Sequence, residues 1–306
     1  MKRFITFFAA VFAAALTLSA YEPADPIPSQ NEIKEYNLSG FSGLDISYTF
    51  QVELSRSNRH SVTVECPDFL APFLQVDVRD GNLRLGVAEL PRDIRRRVDT
   101  GHYKVHATVS MPELTELRMS GASRLDANGD FSARKSFRAR ISGATLVSGL
   151  SVRAAEADIV NSGASKMYLA GEFERMSATV SGSTNFEVKA TVKEARVNLS
   201  GAAKVNHTGT VGKLFLEASG ASSFTLDGQI ADLNINASGA ANVHTEKASA
   251  SIGRVKLSGA ASAVVDVRNE LSIMLSGASN LRYRSNERLR ISEQSVSRAS
   301  SVSSFK

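Results

Sequence analysis

A short phrase, Ser-Gly followed by a small residue, recurs along the chain, and this repeat constrains the fold more than any other feature. The spacings between successive glycines are 22, 20, 19, 19, 19, 19, 20 and 18 residues. A nearly constant period is the signature of a repeat architecture, in which each repeat is one structural unit stacked on the next. We predict that the glycines are the structural repeat turns: Gly121, Gly143, Gly163, Gly182, Gly201, Gly220, Gly239, Gly259 and Gly277.

The residues between the turns alternate between apolar and polar, as in Leu214, Leu216 and Ala218 before Gly220. Alternation with period two predicts a β-strand with one buried face. Three short strand segments in about nineteen residues leave no room for a helix, and a propeller blade needs about forty residues. The remaining solution is a parallel β-helix, in which each coil lies about 4.8 Å from the previous one.

The chain before the array has longer alternating runs, which predict strands and hairpins that open and cap the solenoid. Residues 44–54 and 103–109 are two such runs, and Asp80-Gly81 predicts a tight hairpin. A dense basic segment follows, and we interpret it as a solvated loop between two strands. The alternative is a contact with anionic glycans or lipid head groups. Its arginines are Arg92, Arg95, Arg96 and Arg97.

Composition marks both ends of the chain. Lys2 and Arg3 precede an apolar run, 4–18, of the length of a signal-peptide core, and Leu18-Ser19-Ala20 predicts the cleavage site. An uncleaved anchor is the alternative. Serine takes 7 of the 15 residues from 292 to 306, which predicts a loose tail. The predicted organisation is a signal peptide (1–20), a linker (21–31), an N-terminal β region (32–117), the regular Ser-Gly repeat (118–291) and a Ser-rich tail (292–306).

Several phrases in the chain, taken in order, resemble a known family. They are FSGLDISYTFQVE from residue 41, SVTVECPDFL from 61, LQVDVRDGNLRLGV from 74, a strand ending in Met111-Pro112-Glu113-Leu114, and LRMSGAS from 117. With the repeated SGA copies, they resemble the family described as "putative auto-transporter adhesin, head GIN domain" over about residues 32 to 285. The resemblance implies an exported bacterial protein and carries over no catalytic or ligand residue. The resemblance also implies a right-handed solenoid, and the predicted fold is therefore all-β, a right-handed parallel β-helix with an irregular N-terminal cap.

Two pairs of carboxylates are the candidates for catalysis or calcium binding: Glu156 with Asp158, and Glu172 with Glu174. Members of each pair are two residues apart and share an outward strand face, as glycosidase carboxylates or calcium ligands do. Neither pair recurs at the same coil position in the following coils. We interpret them as solvated surface groups and predict no catalytic residue.

Histidine and cysteine spacing predicts no metal site and no cofactor. The histidines are His60, His102, His106, His207 and His244. His102 and His106 are four residues apart on one strand, about 13 Å along it, which is too far to hold one ion together. Cys66 is the single cysteine, and we predict a structural residue in a strand.

Small residues after the glycines predict a flat strip about 40 Å long, suited to an extended polymer or a second sheet. The alternative is that these residues are small only because the corner is tight. The strip comprises Ala122, Ser123, Ala144, Thr145, Ala164, Ser165, Ser183 and Thr184.

The predicted function is an exported, non-catalytic binding or structural module of the bacterial envelope. The ligand is unknown, a glycan or a protein at the cell surface, and unpaired solenoid edges favour a homo-oligomer. A net charge of +5 is too small to predict nucleic-acid binding, and no apolar stretch after the signal peptide has spanning length. Two alternatives remain open: a polysaccharide-active enzyme on the same scaffold, and a periplasmic envelope scaffold.

Overall fold

A computed structural model describes residues 30–101 and 103–306, which form a β-solenoid of about 10 turns with about 19 residues per coil. The predicted all-β solenoid is therefore confirmed. The predicted signal peptide, the linker up to residue 29 and His102 lie outside the described residues.

Seven strands and two short helical segments build the N-terminal end. They are β1 (Asn31–Tyr36), β2 (Gly43–Ile46), β3 (Phe50–Arg56), β4 (Ser61–Pro67), a 3-10 turn (Ala71–Phe73), β5 (Leu74–Arg79), β6 (Asn82–Val87), α1 (Arg92–Gly101) and β7 (Val105–Met111). Strands β2 and β3 form the first rung of the solenoid. Below them, β6 pairs with β2 and β7 pairs with β3, both in parallel. Strand β5 then joins β6, β4 joins β7, and β1 joins β4, all antiparallel.

The N-terminal region agrees with the sequence in two places and differs in two. Most of the run 103–109 forms β7. Asp80-Gly81 forms the predicted hairpin between β5 and β6. The run 44–54 is not one strand, because Tyr48 adopts a positive φ of 68° and turns the chain between β2 and β3. The segment predicted as a basic loop is the helix α1.

Helix α1 forms because its two apolar residues are four positions apart and therefore lie on one face. Val98 is buried and Ile94 packs against the core. Pro91 precedes the helix and Asp93 lies in its first turn, and both are typical of a helix N-terminus. The Arg97 guanidinium lies 4.1 Å from the centre of the Phe69 ring. The helix thus contributes to the cap of the solenoid, while Arg92, Arg95 and Arg96 are exposed.

Fourteen further strands build the regular rungs. They are β8 (Glu116–Met119), β9 (Arg124–Asn128), β10 (Asp130–Ser132), β11 (Ser136–Ile141), β12 (Leu146–Asn161), β13 (Lys166–Val180), β14 (Asn185–Leu199), β15 (Lys204–Ala218), β16 (Ser223–Ala237), β17 (Asn242–Leu257), β18 (Ser262–Leu275), β19 (Asn280–Arg284), β20 (Arg290–Val296) and β21 (Ser301–Phe305). Each of β12 to β17 pairs in parallel with the next long strand, so equivalent residues of successive rungs lie side by side.

Each rung has three segments, which form the three faces of the solenoid. In the rung that follows Gly121 they are separate strands, β9, β10 and β11. In later rungs they merge into one long strand that bends at two corners. In β14, face 1 comprises residues 185–189, face 2 comprises 190–193 and face 3 comprises 194–199. At the corner before face 3 the inward–outward alternation shifts by one residue, since Lys193 and Glu194 both point away from the core.

The interior is filled by columns of apolar side chains that continue from rung to rung. Phe186, Val205 and Phe224 form one such column on face 1, and all are at most 2% exposed. Burying a large apolar side chain of this kind stabilises the fold by about 1.5–3 kcal/mol. The stack therefore gains stability from inward positions that repeat with the period of the sequence.

The glycines of the repeat stack directly on one another at the turn between faces 3 and 1. Gly143 has φ = 77°, and a Cβ atom there would lie 2.4 Å from the carbonyl oxygen of Gly121. The Ala144 N–H donates a hydrogen bond of 2.8 Å to the same oxygen. Both the backbone conformation and the close approach of the rung below therefore require glycine. Tyr48 begins this column, because its carbonyl oxygen accepts the N–H of Ala122 at 2.8 Å.

The serine-rich tail is not loose. Strand β20 pairs in parallel with β18, and β21 pairs with β19, so β20 completes the rung that β19 begins and β21 adds one further strand beyond it. Phe305 lies under two guanidinium groups, those of Arg282 at 5.5 Å and Arg284 at 4.9 Å from the ring centre. Composition alone predicted disorder, whereas the rung above supplies the hydrogen-bonding partners that a serine-rich strand needs.

Candidate functional site

The serines that precede the turn glycines form a column, and several of them donate hydrogen bonds to the backbone. The hydroxyls of Ser142, Ser162 and Ser219 donate to carbonyl oxygens of the rung before, at 3.3, 3.3 and 3.2 Å.

The predicted flat strip is narrower than the sequence suggested. Its first members, such as Ala144, are exposed, but its second members, such as Thr145, are buried and face the core. Only the first residue of each strip pair is therefore on the surface, next to the exposed turn glycine.

The carboxylate pair Glu156 and Asp158 lies on face 3, where each member is neutralised by an arginine from a neighbouring rung. Arg175 contacts Glu156, and Arg140 lies 2.6 Å from Asp158. The Glu156 carboxylate raises the pKa of Arg175, chiefly through their hydrogen bond. Each carboxylate therefore has a cationic partner on a neighbouring rung.

The second pair, Glu172 and Glu174, lies at the corner of face 2 and shows the same pattern. Lys193 lies 2.7 Å from Glu174, and Arg153 lies 3.6 Å from Glu172. The hydrogen bond from Lys193 lowers the pKa of Glu174. The members of each pair therefore lie on the same part of the surface, and each forms an ion pair with a residue of a neighbouring rung.

The histidines and the cysteine are dispersed over the structure. His60 contacts the Phe41 carbonyl oxygen at 2.8 Å, and His106 and His244 lie on separate strands. His207 is in the core, where burial lowers its pKa to about 4. Within residues 30–101 and 103–306, no three His, Cys, Asp or Glu side chains lie close enough together to hold a metal ion.

Cys66 is buried in β4. Burial is the largest of several causes that raise the pKa of its thiol to about 11. The thiol is therefore protonated at neutral pH, whereas the thiolate is the nucleophilic form.

A groove on face 1, which we call the Tyr168 groove, has a different character. It has a volume of about 480 Å³ and spans the rungs β12 to β15. Its lining includes Leu150, Tyr168, Glu187, Lys189, Asn206 and Thr208. Tyr168, Glu187 and Asn206 occupy equivalent positions on successive rungs, so they follow one another along the solenoid at about 4.8 Å per step.

An irregularity in β12 creates this groove. The pairing of β12 with β13 shifts between Val147 and Leu150, where Ser148-Gly149 forms a bulge and Gly149 has φ = 68°. Gly149 has no side chain and Ala170 on the next rung has only a methyl group. The surface beside the Tyr168 ring is therefore recessed.

Polar groups in the groove are mostly unpaired, unlike those on face 3. Within the described part of the chain, the side chains of Lys189, Asn206 and Thr208 have no hydrogen bond or ion pair with another residue. Glu187 accepts one hydrogen bond of 3.3 Å, from Asn185. These groups are consequently available to an external ligand.

Sequence reasoning missed the Tyr168 groove. One signal was present, since the spacing from Gly143 to Gly163 is 20 residues and contains a further glycine, Gly149. A longer rung predicts a bulge, and Tyr168 is an aromatic residue at an outward position of the following strand. The period alone does not say on which face the bulge lies.

Among the described residues, no helix has both the length and the apolar character that a membrane crossing requires.

Comparison with known proteins identifies relatives of this chain. A model of the family described as "Putative auto-transporter adhesin, head GIN domain" matches residues 40–208 and 186–286. No curated protein matches the chain. A crystal structure of a "putative adhesin" from Parabacteroides distasonis has 15% identity and a TM-score of 0.53, covering 90% of this chain and 98% of the other.

A second crystal structure from Parabacteroides distasonis, of a "Putative lipid binding protein", has 14% identity and a TM-score of 0.52, covering 90% of this chain and 97% of the other. At these identities the two structures show a shared fold. Because the family model matches well over half of the sequence, the chain belongs to the putative auto-transporter adhesin, head GIN domain family.

Proposed function

We propose that this protein is an exported, non-catalytic binding module of the bacterial envelope that acts in adhesion. The observation that carries the proposal is the contrast between two surfaces. The candidate catalytic carboxylates are held in ion pairs, as Glu174 is by Lys193 at 2.7 Å. The polar groups of the Tyr168 groove, such as Asn206, are unpaired within the described residues.

Export is part of the proposal and rests on the sequence and the family. The segment 1–20 has the pattern of a signal peptide, and the family is named for adhesins. Proteolysis of intact cells, compared with lysed cells, tests the location. We expect cleavage in intact cells, whereas protection until lysis would favour the alternative of a periplasmic scaffold.

Binding is tested by a screen of the purified protein against arrays of glycans and of matrix proteins. We expect saturable binding to at least one class of ligand. Absence of binding in both arrays would contradict the proposal. The alternative of a polysaccharide-active enzyme predicts depolymerisation of a glycan by the purified protein, and that activity would be lost in Glu156→Gln or Glu172→Gln.

Self-association is the last part of the proposal. In the described structure, β20 and β21 each pair with a neighbour on one side only. Unpaired sheet edges favour association with another chain. Sedimentation velocity over a wide range of concentration tests this, and we expect a dimer or a larger species at high concentration. Monomer at every concentration would contradict it.

A further inference from the structure

We infer that the Tyr168 groove is a saccharide-binding site, in which one pyranose ring packs beside Tyr168 and its hydroxyls bond to the polar side chains of the next two rungs. This inference rests on the proposed function and gives the binding module a site and a class of ligand.

The Tyr168 ring provides the apolar contact surface of the groove. Tyr168 is half-buried on face 1 and lines the groove, and the Lys166 ammonium lies 5.0 Å from its ring centre. Tyr168 raises the pKa of Lys166, in keeping with the contact between the ammonium and the ring. A half-buried tyrosine ring, with few rotatable bonds, presents an apolar surface to the C–H face of a sugar at low entropic cost.

The polar side chains beyond the ring are the second element. Asn206 and Thr208 supply an amide and a hydroxyl, and Glu187 and Lys189 supply an acceptor and a donor of opposite charge. They lie on the rungs that follow Tyr168, at steps of about 4.8 Å. Neighbouring sugar hydroxyls both donate and accept, so this mixed set suits them better than it suits a group with only one sign of charge.

The backbone of the groove excludes recognition by strand addition. Strand β13 is paired with β12 and β14, and β14 is paired with β13 and β15. An extended peptide binds a sheet through the free N–H and C=O groups of an edge strand, and these rungs have none in the central positions. Recognition at β13 and β14 must therefore use side chains, which favours a ligand rich in its own hydroxyls.

An acyl chain fits the groove less well. It would cover Lys189, Asn206 and Thr208 without offering them a partner, and a polar group that loses water without gaining a hydrogen bond disfavours binding. Binding of a lipid is therefore an outcome for the test to decide, and the chemistry of the groove favours a sugar.

The test uses the purified protein, an array of neutral and acidic oligosaccharides, and calorimetry with the oligosaccharide that binds most tightly. We expect Tyr168→Ala to weaken binding at least about tenfold, as loss of a central aromatic contact does. Asn206→Ala is expected to weaken binding by a smaller factor, and Tyr168→Phe, which keeps the ring, is expected to retain most of it.

Phe215→Ala is the matched control. Phe215 is an exposed aromatic on face 3, and its ring centre lies 5.0 Å from the Arg196 guanidinium, as Tyr168 lies from Lys166. This variant should bind the oligosaccharide as the wild type does, and circular dichroism with thermal unfolding should show all variants folded.

The remaining outcomes separate this inference from the proposed function. If the protein binds oligosaccharides and Tyr168→Ala does not weaken binding, the site is wrong and the binding module stands. If it binds matrix protein or lipid vesicles and no oligosaccharide, the class of ligand is wrong. If it binds none of these, the proposed function fails and this inference fails with it.

Discussion

The N-terminal region and the regular array solve the same stacking problem by different means. In the array, each turn is a glycine that lies on the glycine of the rung below, and every long strand pairs in parallel with the next. In the N-terminal region, Tyr48 takes the turn position, and strands from distant parts of the sequence pair in both directions. Glycine is therefore required at the turns of the array for two reasons: the positive φ of the turn and the close approach of the backbone of the rung beneath.

The largest effect expected from this comparison is at the stacked glycines. Gly143 and Gly40 have nearly equal φ angles, 77° and 76°, but only Gly143 would bring a Cβ atom against backbone, at 2.4 Å from the Gly121 oxygen. Gly143→Ala therefore adds a clash to the conformational strain and should destabilise the protein by at least about 3 kcal/mol. Gly40→Ala should cost about 1 kcal/mol, from strain alone. Chemical denaturation measures both.

Equal losses of stability in these two variants would contradict the stacking of the turns, because the clash at Gly143 would then be absent.

A second prediction concerns the core column that holds His207 between Val188 and Leu226. The folded-state pKa of His207 is about 4, below its value of about 6.5 in an unfolded chain. The unfolded state therefore binds a proton first as the pH falls. Stability should be unaffected by this group above pH 6.5 and should decrease between pH 6.5 and 4, by about 3 kcal/mol in total.

His207→Leu provides the control, because leucine matches the apolar neighbours of the column. Denaturation between pH 4 and 7 should show a shallower loss of stability in this variant than in the wild type. The same slope in both proteins would show that His207 is not buried in its neutral form.

The last rung provides a smaller effect. Phe305 packs against Arg282 and Arg284, and Phe305→Ala should cost about 1 kcal/mol. Hydrogen exchange should show faster exchange of amides in 290–305 and no change in 185–199, since rungs contact only their neighbours. Ser304→Ala, a change at the adjacent exposed residue, should leave both sets unchanged. Unaltered protection of the last rung in Phe305→Ala would contradict its docking.

The smallest effect is expected at the ion pairs between rungs. Glu174 and Lys193 form a pair of 2.7 Å in which both side chains are mostly exposed. Exposed pairs contribute little to stability and are screened by salt. Glu174→Gln should therefore leave the thermal midpoint unchanged at both low and high salt. A clear decrease at low salt would show that the ladder of charges contributes to the stack.

The regular array was predictable from the sequence because its contacts repeat with the period of the residues. The glycine spacing and the apolar positions determine the rungs without any knowledge of distant contacts. The N-terminal region lacks this property, since β4 pairs with β7 and β2 with β6 without a shared period. Helix α1 was missed because four arginines outweighed the two apolar residues, Ile94 and Val98, that hold it to the core.

The Tyr168 groove was not predictable in the same way. A bulge of one residue at Gly149 changes which side chains stand beside Tyr168. The sequence shows that the rung is longer, but the position of the extra residue depends on packing within the coil. The carboxylate pairs lie on the surface, and their partners were not predictable from one strand because Arg175 and Lys193 come from the next rung.

The central claim is that successive turns lie directly over one another, and distances between spin labels test it most directly. Labels are placed on cysteines at Ser142 paired with Ser219, Ser238 or Ser276, in a Cys66→Ala background. These pairs are four, five and seven turns apart. At about 4.8 Å per turn, double electron–electron resonance should give distances near 19, 24 and 34 Å between the labelled backbone positions, to which the label side chains add a roughly constant length. Distances that do not increase in proportion to the number of turns would contradict the account.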